Sequence, residues 1–419
     1  MKIIIIGAGL GGLAAAISTK YEGSDHEVLV IEAARELTEI GAGLQVTPNA
    51  TRLLLRWGLS SRLEPLATCP RIFTAHRYSN GKLLAKVDGF GQKMLEKCKA
   101  PFWDMHRADL QKAMYSRAVE LGVQFRFGTS VVDHDFSACE VTFANGEKER
   151  GDLLVAANGL WSPTRAAFFG RPSPPLPTGD LAYRILLRME DIHDEELRSF
   201  ASIPRVCLWA GPGGHVIYYP LKDNTLCNIV LLVPDDLPEG VAKTEGDLDE
   251  MKAIFESWDP RLQKFLSMVE RVDKWKLMYL EEMDRWYNDE ATVVFLGDAC
   301  HPMLPYMAQG AGSALEDGAT LGVLLSRVSA RGDLPEALKL YETLRKPRSA
   351  ALQKGSMRQR HINHLPDGDE QRRRDDILLD QVEEPRPGNP FYWIDPNEQA
   401  SIYGYDVYEE LRKAGVNIK

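Results

Sequence analysis

Ile3–Ile6 form an unbroken apolar run behind a single lysine and lead straight into a glycine-rich turn. β-Branched residues without polar alternation suit a strand buried on both faces of a parallel sheet. Residues 13–20 then read as a helix, and Val28–Ile31 as a second buried strand ending at Glu32. A cleavable leader would need a helix-forming leucine or alanine core, which four isoleucines followed by glycines do not supply. Further on, Ala50–Trp57 has the spacing of an amphipathic helix, and Val293–Leu296 reads as another buried strand.

The pattern changes between residues 174 and 285. Segments starting at Asp180, Val206 and Leu226 read as strands separated by Gly, Pro and Asn turns, which predicts a sheet rather than more βα units. Alternation along HVIYYPL puts His215, Ile217 and Tyr219 on one face and Val216 and Tyr218 on the other. Arg184 sits among apolar residues, where its charge needs a partner: an intramolecular carboxylate, or an anionic ligand. From about residue 355 the chain is punctuated by Pro and Gly and rich in aromatics, and is expected to pack against the body.

The glycines turn this pattern into chemistry. Gly7, Gly9 and Gly12 have GxGxxG spacing between strand and helix. Gly7 permits the tight turn, Gly9 lets a phosphate approach the backbone, and Gly12 lets helix pack on strand. The helix N-terminus then offers unpaired N–H groups to a pyrophosphate. Glu32, about 20 residues beyond the last glycine, suits the ribose hydroxyls of an adenosine. The fingerprint predicts a dinucleotide site without separating NAD from FAD.

Composition narrows the partners. A formal charge of −10 argues against nucleic acid, which requires a basic surface. The basic cluster Arg372–Arg374 is followed by two aspartates and reads as a solvated helix face. Six scattered cysteines lack metal-ligand spacing and suit a reducing compartment, so no metal is expected and a cytoplasmic location is. No other run approaches the ~20 apolar residues of a membrane span. At 419 residues the chain exceeds one comfortable core.

Four later stretches decide between the dinucleotides. DMHRADLQKAM (104–114), GDLLVAANGLWSPTR (151–165), ATVVFLGDACHPMLPYMAQGAGSALEDG (291–318) and YETLRKPRSAAL (341–352) occur in this order behind the glycine turn. Together with the loop and helix of 34–59, they resemble the single-component FAD-dependent aromatic hydroxylases, and most of all the fungal salicylate-hydroxylase-like group. The resemblance implies an α/β fold: a Rossmann-like FAD-binding domain (1–75, 100–173, 286–330), an interleaved β-sheet substrate domain (76–99, 174–285) and a helical C-terminal region (331–419).

The same resemblance assigns FAD contacts to Gly7, Gly9, Gly12, Glu32, Arg35, Gly43, Arg107, Asp298, Pro305, Gly310, Ala311 and Gly312. A helix starting near Gln309 would point its positive end at the flavin. Arg184, Tyr218 and Tyr219 are the implied catalytic residues, only one tyrosine facing the pocket, with Arg184, His215, Tyr219 and Asn228 as substrate contacts. Asn158–Gly159 stands where the family usually has Asp-Gly. His301 reads as a packed structural histidine, and the helix 341–352 as solvent-facing.

The activity implied is hydroxylation of an electron-rich aromatic, salicylate or a related phenol, with FAD, NADPH or NADH as transient reductant, and O2, through a flavin C4a-hydroperoxide. Two alternatives stand beside it: an oxygenase of a natural-product scaffold, by indole epoxidation or polyketide phenol hydroxylation, and a flavin-binding protein without turnover. A monomer or homodimer with no membrane partner is expected.

Overall fold

The computed structural model describes residues 1–37 and 43–418. Much of the glycine-rich loop expected after Glu36 therefore lies outside the described residues. The first strand, β1 (Lys2–Ile6), leads into helix α1 (Leu10–Tyr21) and strand β2 (Glu27–Ile31). These belong to a five-stranded sheet in the order Val293–Phe295, Leu153–Ala156, β1, β2, Gln124–Arg126. All its pairings are parallel, with Ile3 opposite Leu153 on one side and Val28 on the other. Ile3–Ile6 are all buried between the layers packed on the two faces, with α1 and the Glu140–Phe143 strand of a separate three-stranded sheet in the same core, which is why they need no polar alternation.

The middle of the chain forms an eight-stranded sheet in the order Lys243–Glu245, Asp273–Tyr279, Leu176–Arg188, Leu226–Pro234, Gly214–Leu221, Arg205–Gly211, Ile72–Arg77, Leu83–Asp88. Every neighbour is antiparallel except Arg205–Gly211 against Ile72–Arg77. The expected boundary at 75/76 falls inside Ile72–Arg77. That strand is hydrogen-bonded along its length into this sheet, so residues 72–75 belong with it rather than with the nucleotide-binding part.

One face of the sheet is closed by short helices and buries Trp209, Tyr218 and Phe265; the other faces the five-stranded layer. Beyond residue 331, the long helix Leu334–Asn363 lies along the Gly310–Leu325 helix, followed by Asp369–Asp380, Pro396–Ile402 and Val407–Lys413.

Two solvent-facing expectations are corrected here. Arg345, in the helix expected to face solvent, is fully buried, with Nε donating to Asp317 at 2.8 Å and Nη2 2.8 Å from Glu316. The Gly310–Leu325 helix buries both carboxylates, and buried charge requires a counter-charge. Arg374 is also buried: it donates to its neighbour Asp375 at 2.7 Å and to the Ile362 carbonyl at 2.8 Å.

Candidate active site

A cavity of about 340 Å³ lies between the two sheets. At one end it begins at Gly9–Gly11, where α1 starts without any side-chain cap and without an acidic residue in its first turn. Its N-terminal N–H groups are therefore free for an anion. The turn before it depends on glycine twice. Gly7 has φ +111°, and a Cβ on Gly12 would sit 2.1 Å from the Gly7 carbonyl oxygen. Around Gly9, by contrast, a Cβ would meet nothing within 4 Å, which leaves room for a phosphate. The Glu32 carboxylate caps the end of β2 by accepting from the backbone N–H of Ala8 at 2.8 Å and of Ala34 at 2.9 Å.

Moving inward, the lining passes Arg107, Gly297 and Asp298. Arg107 opens the Arg107–Glu120 helix, and its position follows from the strand turning directly into that helix. Asp298 faces the cavity, where enclosure raises its carboxyl above the usual range while His301 and Arg107 oppose the shift. The floor is small: Pro305, Ala308, Gly310 and Ala311, with Ala308 in the left-handed region at φ +53°. The helix Gly310–Leu325 begins at this floor with Gln309 as its N-cap. Gln309 is locked by Thr47 and Asn49 at 3.0 and 3.1 Å, so the helix end is held against the cavity. A glycine turn with an uncapped helix, a second helix end and a lining of backbone and small residues between them fits FAD.

The opposite wall is the open face of the eight-stranded sheet. Ala182 and Arg184, Leu208, His215, Ile217 and Tyr219, and Val230 and Leu232 point into the cavity from four adjacent strands. Arg184 has no carboxylate partner among the described residues; its Nε is buried without an acceptor, and its guanidinium lies 5.4 Å from the Trp275 ring centre. Burial lowers its pKa, with Tyr219 opposing and the neighbouring Arg107 charge adding to the effect. Burial and Asp104 push the Tyr219 hydroxyl well up, so it stays protonated and can donate.

The family model described as "FAD binding domain" matches residues 1–356. The FAD-dependent monooxygenase OpS4 of Beauveria bassiana is 45% identical, across 100% of this chain and 98% of its own length. The chain belongs to the FAD-dependent monooxygenases of the aromatic hydroxylase family. A 3-hydroxybenzoate 6-hydroxylase of Klebsiella oxytoca is 33% identical, over 84% of this monooxygenase and 86% of that enzyme. Among solved structures, Klebsiella pneumoniae HpxO with FAD and uric acid superposes with a TM-score of 0.76 at 26% identity, covering 91% of this chain and 93% of that one. A salicylate hydroxylase substrate complex shares the fold, with a TM-score of 0.79 at 22% identity over 100% of this chain and 98% of that one.

Within this monooxygenase the expected residues do not all meet. Gly9, Gly43, Arg107, Asp298, Pro305, Gly310 and Ala311 line the cavity, as do Arg184, His215 and Tyr219. Gly7, Gly12 and Glu32 shape the turn from behind it. Arg35 is exposed beside Gly128, outside the cavity. Gly312 is turned away, toward Asn49 and Gln309. Tyr218 is corrected as a catalytic candidate: strand alternation sends its ring to the far face, against Phe200 and Phe265 at 5.6 and 5.5 Å. Asn228 is corrected as a substrate contact. It sits beside Tyr219 in the strand register and accepts from the Gly43 N–H at 3.3 Å, behind the cavity wall. Asn158 is engaged locally, donating to Thr164 at 2.8 Å and accepting from Ser162 at 2.6 Å, while its neighbours Ala157 and Gly159 line the cavity. His301 packs on Trp286 and bonds Asp317.

Phe73, Tyr306, Gln359, Asn363, Phe391 and Trp393 also reach the cavity, and local sequence reading missed them. The aromatic run after Pro390 was the available signal. Trp393 Nε1 donates to the Tyr306 carbonyl at 3.0 Å, so the C-terminal segment forms part of the wall.

Among the described residues no group of three or more His, Cys, Asp or Glu could hold a metal ion. No helix among them is long and apolar enough to cross a membrane.

Proposed function

We propose that this monooxygenase hydroxylates the ring of a hydroxybenzoate, salicylate or a close relative, and that the unpartnered Arg184 guanidinium receives the substrate's carboxylate or phenolate. Gly9, Arg107, Asp298, Pro305, Gly310 and Ala311 would hold FAD, with Gly7, Gly12 and Glu32 forming the turn that admits it. When bound and reduced by NADPH or NADH, FAD supplies activation of O2 for transfer of one oxygen atom to an electron-rich aromatic carbon.

The chain's own contribution is placement. Arg184 offers a planar fork of donors to an anion and is worth most in this dry wall. Tyr219 donates from the next strand but one, and His215 meets a ring hydroxyl from the same face. Apolar neighbours Ile217, Val230 and Leu232 exclude water, which limits unproductive loss of reduced oxygen. The names of the hydroxybenzoate-acting relatives support this substrate class.

The test is NAD(P)H oxidation by the FAD-loaded protein in air, with a panel of salicylates, hydroxybenzoates, other phenols and indoles. Stimulation by hydroxybenzoates together with a product 16 mass units heavier, or hydroxylated with loss of CO2, supports the reading. Stimulation by indoles or non-carboxylated phenols alone overturns the substrate class. Flavin binding without stimulated oxidation by any of them overturns the activity.

A further inference from the structure

Two side chains of the long helix Leu334–Asn363, Gln359 and Asn363, reach the cavity one turn apart, and both are buried. Their amides are linked. Gln359 Nε2 donates to Asn363 Oδ1 at 2.7 Å, and Gln359 Oε1 accepts from the backbone N–H of Tyr392 at 3.0 Å. A backbone N–H can only donate, so it dictates the direction of the whole relay. The Gln359 oxygen must face Tyr392, its nitrogen must face Asn363, and the Asn363 oxygen must face Gln359. That leaves the Asn363 Nδ2 donor, which has no acceptor among the described residues, on the side of the cavity that Asn363 lines.

The Tyr392 N–H that sets this direction is itself held in place. Gly388 and Asn389 donate their backbone N–H groups to the Asp395 carboxylate at 2.6 and 2.9 Å. The Phe391 N–H donates to Asn389 Oδ1 at 3.0 Å, and Gln399 Nε2 donates to the Trp393 carbonyl at 2.8 Å. Phe391 and Trp393 flank Tyr392 and line the cavity, so the free Asn363 donor stands in apolar surroundings, where an unmet N–H is costly.

We propose that Asn363 is a specificity-determining residue. Its Nδ2, fixed as a donor by Gln359 and Tyr392, selects substrates that carry an uncharged hydrogen-bond acceptor, a carbonyl or ether oxygen, on the part of the ring facing the C-terminal helix. Among the described residues the Lys and Arg side chains lining the cavity are Arg107 and Arg184, and a neutral amide beside two aromatics does not offset the desolvation of a second carboxylate. The next residue, His364, fixes where the donor stands: its carbonyl accepts from the Gly213 N–H at 3.0 Å, and its Nε2 lies 2.7 Å from His215 Nδ1. Asn363 therefore belongs to the Gly214–Leu221 side of the sheet. The strand of Arg184 has one strand between it and Gly214–Leu221, a separation of about 10 Å at ordinary strand spacing. A ring with its carboxylate on Arg184 accordingly turns its 3- and 4-positions toward Asn363. The inference rests on the carboxylated aromatic proposed above.

The test titrates the flavin spectrum of the FAD-loaded full chain with matched probes. These are 3- and 4-formylbenzoate, whose carbonyl oxygen only accepts, their isosteres 3- and 4-vinylbenzoate, and benzoate itself. Wild type should bind one formyl isomer about threefold to tenfold more tightly than its vinyl isostere, the worth of one neutral hydrogen bond. Asn363→Leu should erase that ratio and leave vinylbenzoate affinity, benzoate affinity and flavin content unchanged. Gln359→Leu keeps the Asn363 amide but frees it to turn either way, so the ratio should fall there as well, which a purely steric wall would not produce. Equal binding of formyl and vinyl isomers by wild type at both positions would overturn the inference. So would a ratio that survives Asn363→Leu, or one unaltered in Gln359→Leu. If one variant does not fold, the wild-type ratio and the other variant decide. Failure of every carboxylated probe to perturb the wild-type flavin spectrum would instead overturn the proposed substrate class.

Discussion

The wall built from β1, α1 and the start of the Gly310–Leu325 helix meets the cavity largely with backbone and small residues, whereas the eight-stranded sheet meets it with side chains. On the first wall the active elements are absent side chains: Gly12, where a Cβ would strike the Gly7 carbonyl at 2.1 Å, and Gly9, which stands open. On the second, Arg184, His215 and Tyr219 come from two strands separated by a third. A pyrophosphate is the same in every dinucleotide, so N–H groups and space recognise it. An aromatic substrate is distinguished by where its charge and hydroxyls lie, and only placed side chains can read that. On the proposed function, the backbone wall can be shared across a family while the side-chain wall would set what is oxidised.

The sharpest way to break this comparison is Gly12→Val. The side chain has nowhere to go against a backbone carbonyl, so purified protein should carry less than about a tenth of the wild-type flavin absorbance at similar fold content by circular dichroism. Retained flavin would show that the glycine turn is not what admits the nucleotide.

Next is the ionic brace behind the first wall. Arg345→Leu leaves Glu316 and Asp317 buried with a counter-charge missing and should cost about 3–5 kcal/mol, read as a lowered denaturation midpoint. Burial raises Asp317, yet His301 and Arg345 outweigh it and hold the carboxyl at about 2. A folded pKa below the unfolded one means that this stability is fully present above about 4 and is lost as pH falls toward 2. Arg345→Leu should accordingly flatten the acid limb of the stability profile, and an unaltered limb would assign acid sensitivity to other carboxylates.

On the side-chain wall, Arg184→Ala should weaken benzoate binding about 10–100-fold, the worth of a charged hydrogen bond, with flavin content unchanged. Titration of the flavin spectrum with benzoate reads it. Smallest of all is the tyrosine pair: Tyr219→Phe should reduce kcat/KM several-fold, by roughly the value of one hydrogen bond, while Tyr218→Phe stays within about twofold. Equal effects would mean that strand alternation does not divide cavity from core here.

The identity of the cavity residues shows where local reading stops. Alternation separated Tyr218 from Tyr219 but could not say which face was wet, because both flanking layers are apolar and only their placement distinguishes cavity from core. Asn228 has the right parity and still misses the cavity, since Gly43 packs over it. Arg345 has the composition of a surface helix, and only the carboxylates of another helix explain its burial.

By itself the sequence determined the βαβ nucleotide turn, several strands of each sheet and an arginine among apolar residues whose charge needs a partner. Each of these is written in neighbouring residues, through glycine spacing, apolar runs and period-two alternation. Tertiary structure alone decided which tyrosine faces the cavity, that Phe391 and Trp393 wall it, and that His364 reaches His215 across 149 residues. Such contacts depend on how distant segments are brought together, and no local period encodes them.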